Sequence, residues 1–416
     1  MRAQVNIENV RKAASLLRDI AFKTPLARNE NLTNKFNCNI VLKREDLQQV
    51  RSYKIRGAYN KIASLTKEEL EIGIVCASAG NHAQGVAFSC FKLKVKGVIF
   101  MPTPTPKQKI EQVKMFGGEF IEIVITGDTF DDASFSATEY CELKKMSFVH
   151  PFDDEKVIEG QATIALEILE QTKEEIDYLF VPVGGGGVAA GISSIFNELS
   201  PKTKVIGVEP NGAPSMSTSL EKGVNVKLDY IDKFIDGASV QRVGDLNFDI
   251  CQQYLSGMSC VHEGEVCQTI LDLYNKDAIV VEPAGALSIA VLNQFKHEIQ
   301  GKNIVCLVSG SNNDITRTEE IKERAMLHAN LKHYFIISFP QRAGALKEFV
   351  AEILGPNDDI THFEYTKKHN RNMGPAVVGI ELENSSSLDA LKDRMKKRGF
   401  FGEYLNEKPD LFQFLV

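Results

Sequence analysis

The stretch DYLFVPVGGGGVAAG, residues 177–191, runs from bulky apolar residues through four consecutive glycines into a small apolar segment. It reads as a strand, a tight loop and the start of a helix. Each glycine costs conformational entropy on folding. A loop that only packs a helix onto a sheet needs one or two of them, not four. Four let backbone N–H groups approach an anion at the positive end of a helix, and that points to a phosphate. GGGGVA also satisfies G-x-G-x-x-A, with Glu209 ending the next strand run, so a dinucleotide stands as a rival ligand at this point. No G-x-x-x-x-G-K motif followed by Ser or Thr is present, so a P-loop is not supported.

Working outward, similar apolar runs recur up to about residue 315: NIVLK (39–43), GIVCAS (73–78), KGVIFMP (96–102), EFIEIVI (119–125), KVIGVEP (204–210), DAIVVEP (277–283) and NIVCLVS (303–309). They are continuous rather than alternating, which means strands buried on both faces and hence an open parallel α/β sheet covered by helices. QGVAFSCFKL, EGQATIALEILEQT and AGALSIAVLNQFK supply helical patterns between them. SAGNH follows one strand, GGGG a second and SGSNND a third. Ligands bind beyond the carboxyl ends of strands in such sheets, so the three loops are expected to converge.

After a charged helical stretch, ITRTEEIKERAMLHANLK (315–332), the pattern changes. KHYFIISFP, DITHFEYTKK, PAVVGIELE and LFQFLV read as strands; GALKEFVAEIL and SLDALKDRMKKRGF read as helices. Leu346, Phe349, Val350, Ile353 and Leu354 fall on one face of the first helix. The order βαββαβ is the split βαβ arrangement. Residues 331–416 hold equal numbers of basic and acidic residues, 12 each, so KDRMKKR reads as a solvated helix face. The expected organisation is a catalytic body over 1–320 with a smaller subdomain at about 50–150, a linker helix over 321–330 and an appended module over 331–416.

The 416 residues are 43% apolar and 25% charged, as in ordinary soluble proteins, and the net charge of −7 argues against nucleic-acid and anionic-membrane partners. No run reaches the length of a membrane span. The N-terminal segment is broken by charges rather than built as a signal peptide. Eight scattered cysteines without a CxxC pair suit a reducing, cytoplasmic compartment. Zinc-type spacings are missing, so no metal site is expected.

RSYKIRGAYN (51–60) places Lys54 where a helix begins, since Ala58, Ile62 and Leu65 follow at helical spacing. A surface lysine is one reading. The other is an amine nucleophile whose pKa is lowered by Arg56 and the helix end. SAGNH (78–82) offers a hydroxyl, an amide and free N–H groups; alone it serves equally well as a helix N-cap, with His82 a packed or capping histidine. SGSNND (309–314) brings Ser309 to the end of the last core strand. A reactive lysine, a cup for one phosphate, an amide for a ring oxygen and a serine for a ring nitrogen together describe a pyridoxal phosphate site.

The motifs SYKIRGA (52–58), SAGNHAQG (78–85), VGGGGVAAG (183–191) and SGSN (309–312) resemble, in order, those of the β-family (fold type II) pyridoxal phosphate enzymes, and within them the threonine dehydratases. The tail resembles the ACT-like regulatory domain of the biosynthetic members, in one copy. The resemblance implies that Lys54 holds pyridoxal 5'-phosphate covalently and that Asn81 bonds its ring 3′-oxygen. Gly184, Gly185, Gly186, Gly187 and Val188 would wrap the phosphate, and Ser309 would meet the ring nitrogen. Ser78, Gly80, Asn81 and His82 would lie on the substrate-carboxylate side. It further implies deamination of threonine, and of serine, to a 2-oxoacid and ammonia. An isoleucine or valine effector at the tail and a homotetramer complete the expectation.

A neutral Ser309 at the ring nitrogen suits elimination better than a long-lived carbanion. Ala79, where the related serine racemases carry a serine, removes a second proton carrier and disfavours racemisation. Glu209 and Ala213 resemble part of a metal site in those relatives, but Ser215 replaces its acidic ligand. Glu282 is given no catalytic role. Within the fold the alternatives are a catabolic dehydratase or a β-replacement synthase. Outside it they are a nicotinamide-dependent oxidoreductase or a non-catalytic amino-acid sensor.

Overall fold

Every residue of Ile74–Ala77, Gly97–Met101 and Tyr178–Pro182 is buried, as continuous apolar runs require of strands covered on both faces. In the computed structural model, which describes residues 5–365, 372–408 and 410–412, the chain divides into two units, Met1–Arg317 and Thr318–Val416. The strands of the first are β1 (Leu26–Arg28), β2 (Asn39–Arg44), β3 (Ile74–Ala77), β4 (Gly97–Met101), β5 (Ile121–Ile125), β6 (Ser147–Phe148), β7 (Tyr178–Pro182), β8 (Lys204–Pro210), β9 (Gly257–Val261) and β10 (Asn303–Val308). They form two open sheets, β1-β2-β10-β7-β8-β9 and β5-β4-β3-β6. All pairings are parallel except β1 with β2. This is the fold type II arrangement of two parallel-sheet subdomains that the motifs imply.

Two runs depart from the sequence reading. DAIVVEP forms no strand: Ala278 ends the helix Glu263–Asp277 in a left-handed conformation, and Pro283 opens the next helix at once. Ile279 and Val281 are buried all the same, which is why the segment looks like a strand. The sixth strand of the larger sheet is instead β9, GMSCV, a half-buried edge whose pattern is too short and mixed to stand out.

The helix Lys54–Ala63 joins the two halves. Its Ala58 and Ile62 pack with Ile74, Cys76 and Ile99 of the smaller sheet. Its Arg56, fully buried, reaches the other way. The guanidinium donates to Glu45 in the turn after β2 (2.8 Å) and to Glu167 of the helix Glu155–Gln171 (2.7 Å). Lys43 adds a bond to Glu167 at 2.5 Å and another to the Thr24 carbonyl at 2.7 Å. Burial opposes the Glu45 charge, but Arg56 and then Lys43 outweigh it and hold the carboxyl below its usual pKa.

The second unit carries β11 (Lys332–Pro340), β12 (Asp359–Tyr365), β13 (Met373–Glu381) and β14 (Phe401–Tyr404) in one antiparallel sheet ordered β12-β13-β11-β14. With the helices Ala345–Glu352 and Leu388–Lys397 this is βαββαβ. Its core is Phe335, Ile337, Phe349, Val378, Ile380 and Phe400. On the first helix Phe349 is buried, with Ile353 buried at its C-cap, whereas Leu346 and Val350 stand about half exposed, each at 48%. Among the described residues the last strand is FGEY. Leu411 and Phe412, the start of LFQFLV, lie in a helical turn, and residues 413–416 of that run fall outside the described residues, as do 366–371 at the end of DITHFEYTKK. No described helix is long and apolar enough to cross a membrane, and all eight cysteines are unpaired.

Removing the guanidinium leaves Glu45 without its ion-pair partner in the interior and Glu167 with Lys43 alone. Arg56→Ala is expected to cost about 3–5 kcal/mol, read from the urea midpoint at unchanged slope. Arg56→Lys, which keeps the charge but not the forked geometry, should lose less.

Candidate active site

Lys54 is the first residue of its helix, and no side chain caps that end. Its Nζ donates to the Pro151 carbonyl at 2.7 Å and stands 5.5 Å from the centre of the Tyr53 ring. Burial pulls its pKa down to about 8, against the opposing charge of Glu282. Arg56 is not the cause that the sequence suggested, because its guanidinium is spent on Glu45 and Glu167. Desolvation is what lowers the pKa of this amine.

The SGSN loop is tied directly to the segment before Lys54, and the SAGN loop is tied to it through Asn312. Ser52 bridges Gly310; the Tyr53 N–H donates to the Ser309 carbonyl at 3.2 Å, and the Ser311 N–H to the Arg51 carbonyl at 2.9 Å. Asn312 Nδ2 donates to the Val50 carbonyl at 2.9 Å and to Asn81 Oδ1 at 2.6 Å. Lys54, Asn81 and the buried Ser309 therefore share one locality, as β3 and β10 deliver their loops from separate sheets. Ser78 Oγ accepts from the Gly80 N–H at 3.2 Å, closing the SAGN turn. His82 Nε2 bonds the Val149 carbonyl at 2.9 Å, which can only accept, so the ring is protonated there. Burial, then Lys54, depress His82 to about 3, so it is neutral and brings no positive charge to a carboxylate.

The glycine loop reaches the same place through Phe152. A Cβ at Gly185 would stand 2.2 Å from the Phe152 ring, and one at Gly184 3.0 Å from Ala238 Cα. Gly186 has φ +94°, and Asn247 Nδ2 donates across the loop to the Phe152 and Gly185 carbonyls at 3.0 and 2.8 Å. The helix Gly187–Leu199, which contains Val188, begins with no side-chain cap, leaving its first N–H groups to an outside acceptor. Pro151, which holds the Lys54 amine, adjoins Phe152. A backbone cup, an amine of lowered pKa and the buried, unpartnered Ser52 Oγ and Asn312 Oδ1 fit a phosphorylated ring with polar substituents.

Two buried carboxyls complete the picture. Glu209 accepts from Met216 N (2.7 Å), Ser217 N (2.9 Å) and Ser217 Oγ (2.8 Å), so it serves the start of the helix Ser215–Lys222 rather than a ribose beside the glycine loop. Ser215 Oγ, at the position of a missing acidic ligand, bonds the Val240 carbonyl. Glu282 is the residue that sequence reasoning passed over. It accepts from Asn81 Nδ2 at 2.6 Å and from Asn312 N at 3.2 Å, and burial raises it to about 7, with Asp236 adding to the effect. The available signal was an acid wedged before Pro283 in a Gly- and Ala-rich stretch, beside the SGSNN loop.

Residues 17–310 match the family described as pyridoxal-phosphate dependent enzyme, and residues 323–415 match the C-terminal regulatory domain of threonine dehydratase. The chain is 53% identical over 413 residues to the biosynthetic L-threonine dehydratase of Halalkalibacterium halodurans, covering 99% of this chain and 100% of that one. To the corresponding protein of Bacillus subtilis it is 53% identical over 412 residues, covering 99% and 98%. Among solved structures it resembles the processed form of threonine deaminase isoform 2 from Solanum lycopersicum, with a TM-score of 0.73 and 40% identity over 78% of this chain and 96% of that one.

The raised pKa of Glu282 has a stability consequence of definite sign. The folded cofactor-free protein holds the proton up to about pH 7, whereas the unfolded chain releases it near the ordinary 4.5. Stability from this group is therefore full below the lower value and is lost as pH rises through the higher one. Glu282→Gln cancels that loss. Its stability relative to wild type, measured by urea unfolding without cofactor, is expected to improve by about 3 kcal/mol between pH 4 and pH 8.

Proposed function

The chain belongs to the pyridoxal-phosphate-dependent enzymes, among the threonine dehydratases with their C-terminal regulatory domain, and from that we propose how its residues convert L-threonine to 2-oxobutanoate and ammonia. This is the committed step toward isoleucine, and L-serine, with the same β-hydroxyl, is a second substrate. The observation that carries the reading is the half-buried Lys54 amine, with its pKa brought to about 8, next to a segment bonded to the Ser309 loop, which in turn holds Asn81 through Asn312.

When bound, pyridoxal phosphate supplies the electron sink that makes the substrate's α-C–H acidic. Lys54 would hold the group covalently and, with its amine free, would take the substrate's α-proton as general base. Desolvation suits it to that work, because a lysine at its ordinary pKa carries its proton at neutral pH. Gly184, Gly185, Gly186, Gly187 and Val188 hold the phosphate through backbone N–H groups. Asn81 orients the ring through its oxygen, and Ser309 meets the ring nitrogen with a hydroxyl rather than a charge. Ser78, Gly80 and Asn81 bind the substrate carboxylate. His82, being neutral, shapes that wall rather than pairing with the charge. Ala79 places no proton carrier opposite Lys54, so elimination is favoured over racemisation.

The regulatory unit takes an amino-acid effector, isoleucine as inhibitor and valine as its antagonist, in a cytoplasmic homotetramer. The eight unpaired thiols support that compartment.

Lys54→Ala should abolish the visible absorption band of the purified protein and lower 2-oxobutanoate formation by about 10²–10⁴-fold or more. A variant that keeps the band, or the wild-type rate, overturns the role of Lys54. Isoleucine is expected to raise the threonine concentration giving half-maximal rate. In a binding titration, a non-reacting threonine analogue should weaken isoleucine binding by the same factor that isoleucine weakens analogue binding. Unequal factors would mean the two ligands are not linked through one equilibrium.

A further inference from the structure

Glu282 occupies the N-cap position of the helix Pro283–Ala290 yet makes no side-chain bond to that helix. An acidic N-cap ordinarily serves its own N–H groups. Here the carboxylate turns away, with Oε1 accepting from Asn81 Nδ2 at 2.6 Å and Oε2 from the Asn312 N–H at 3.2 Å. The fold also reserves room for it, since a Cβ at Gly310 would stand 2.4 Å from Oε1. A buried carboxylate with two hydrogen bonds and no contacting cation among the described residues is costly to keep. Its electrostatic neighbours are Asp236 and Lys109, together with Lys54 and Tyr53 on the helix opposite.

What this carboxylate accomplishes follows from the amide orientations. The Val50 carbonyl can only accept, so Asn312 must present Nδ2 to it, at 2.9 Å. The other hydrogen of that Nδ2 then goes to Asn81 Oδ1 at 2.6 Å. At the far end of the Asn81 amide, the Glu282 carboxylate, ionised above about pH 7, can only accept and receives Nδ2. Turning Asn81 over would set oxygen against oxygen on one side and N–H against N–H on the other. Asn81 is therefore left with its oxygen occupied, one N–H occupied and one N–H to offer.

We propose that Glu282 and Asn312 are positioning residues that clamp the Asn81 amide from both ends, so that the site meets the cofactor's ring oxygen with an N–H and never with a C=O. The clamp rests on the reading that Asn81 is the ring-oxygen partner. A ring oxygen carrying negative charge gains from a donor and is repelled by an acceptor, so an amide free to turn would forfeit the interaction half of the time.

The test compares wild-type holoenzyme with Asn81→Ala, Glu282→Gln, Asn312→Ser and the double variant Asn81→Ala/Glu282→Gln. Two readouts are the dissociation constant for pyridoxal phosphate, by equilibrium dialysis, and the pH midpoint of the visible absorption band. Asn81→Ala should raise the constant about tenfold and move the midpoint upward by about one unit, the worth of one hydrogen bond to a charged group, whereas Glu282→Gln and Asn312→Ser, which free the amide to turn, should each raise the constant about twofold and move the midpoint upward by about 0.3 unit. The double variant should be no worse than Asn81→Ala alone, because Glu282 acts through Asn81. Effects that multiply in the double variant, or a wild-type midpoint in both Glu282→Gln and Asn312→Ser, overturn the clamp while leaving the Asn81 contact standing. Wild-type values for Asn81→Ala overturn that contact and the clamp with it. A merely structural role would lower the melting temperature without moving the midpoint.

Discussion

A guanidinium with almost no exposure to solvent fixes where the Lys54 amine can be. Arg56 lies two residues after Lys54, and its fork is held by Glu45 on one side and Glu167 on the other. One partner follows β2 of the larger sheet; the other sits on a helix facing that sheet's side of the molecule. Because both bonds are bidentate in character and buried, the helix Lys54–Ala63 can neither slide nor rotate without stranding charge. Lys54 inherits that rigidity. Arg56 thus controls the position of the amine while leaving its pKa to burial.

The site itself is assembled from parts that no single element could supply. β3 brings Asn81, β7 the glycine loop and β10 Ser309 and Asn312, and the strands come from two different sheets. What holds the SAGN and SGSN loops together is hydrogen bonding through short amides, while the glycine loop packs on the Phe152 ring. Short groups in a dry setting give direction as well as affinity, and direction is what a planar ligand with distinct edges requires.

That division explains what the sequence disclosed. Four glycines in a row, a lysine opening a helix, and small polar turns closing apolar strands are visible locally, because each breaks a propensity rule for a stated reason. Their convergence was legible from strand order alone. Arg56 was misread because its partners lie 11 and 111 residues away, and proximity to Lys54 along the chain suggested the wrong target. Glu282 was passed over because its work depends on an amide 201 residues distant. DAIVVEP misled for a different reason: burial makes a segment apolar whether or not it pairs in a sheet. In the tail, FGEY is hidden by its glycine and glutamate, whereas LFQFLV advertises a strand that the described residues do not contain.

The two halves of the first unit are not joined with equal strength on all sides. Near the base of the Lys54 helix they share the Arg56 network, where parting the charges costs about 3–5 kcal/mol. On the other side the smaller half reaches across by Lys109, at the start of the helix Lys107–Gly117, to Asp236 at 2.5 Å. The side chains of that pair are 21% and 44% exposed, so water screens it and its worth falls to about 1 kcal/mol or less. Asp236 adjoins Gly237, whose Cβ position lies 3.7 Å from Glu282 Oε1, so this weaker contact borders the polar side of the site. The first unit therefore holds the helix that begins at Lys54 by the strong connection, and the weak one borders the Glu282 carboxyl. Parting the halves on the Lys109 side would also break the Asn81 bonds to Glu282 and Asn312, and parting them at Arg56 would displace Lys54.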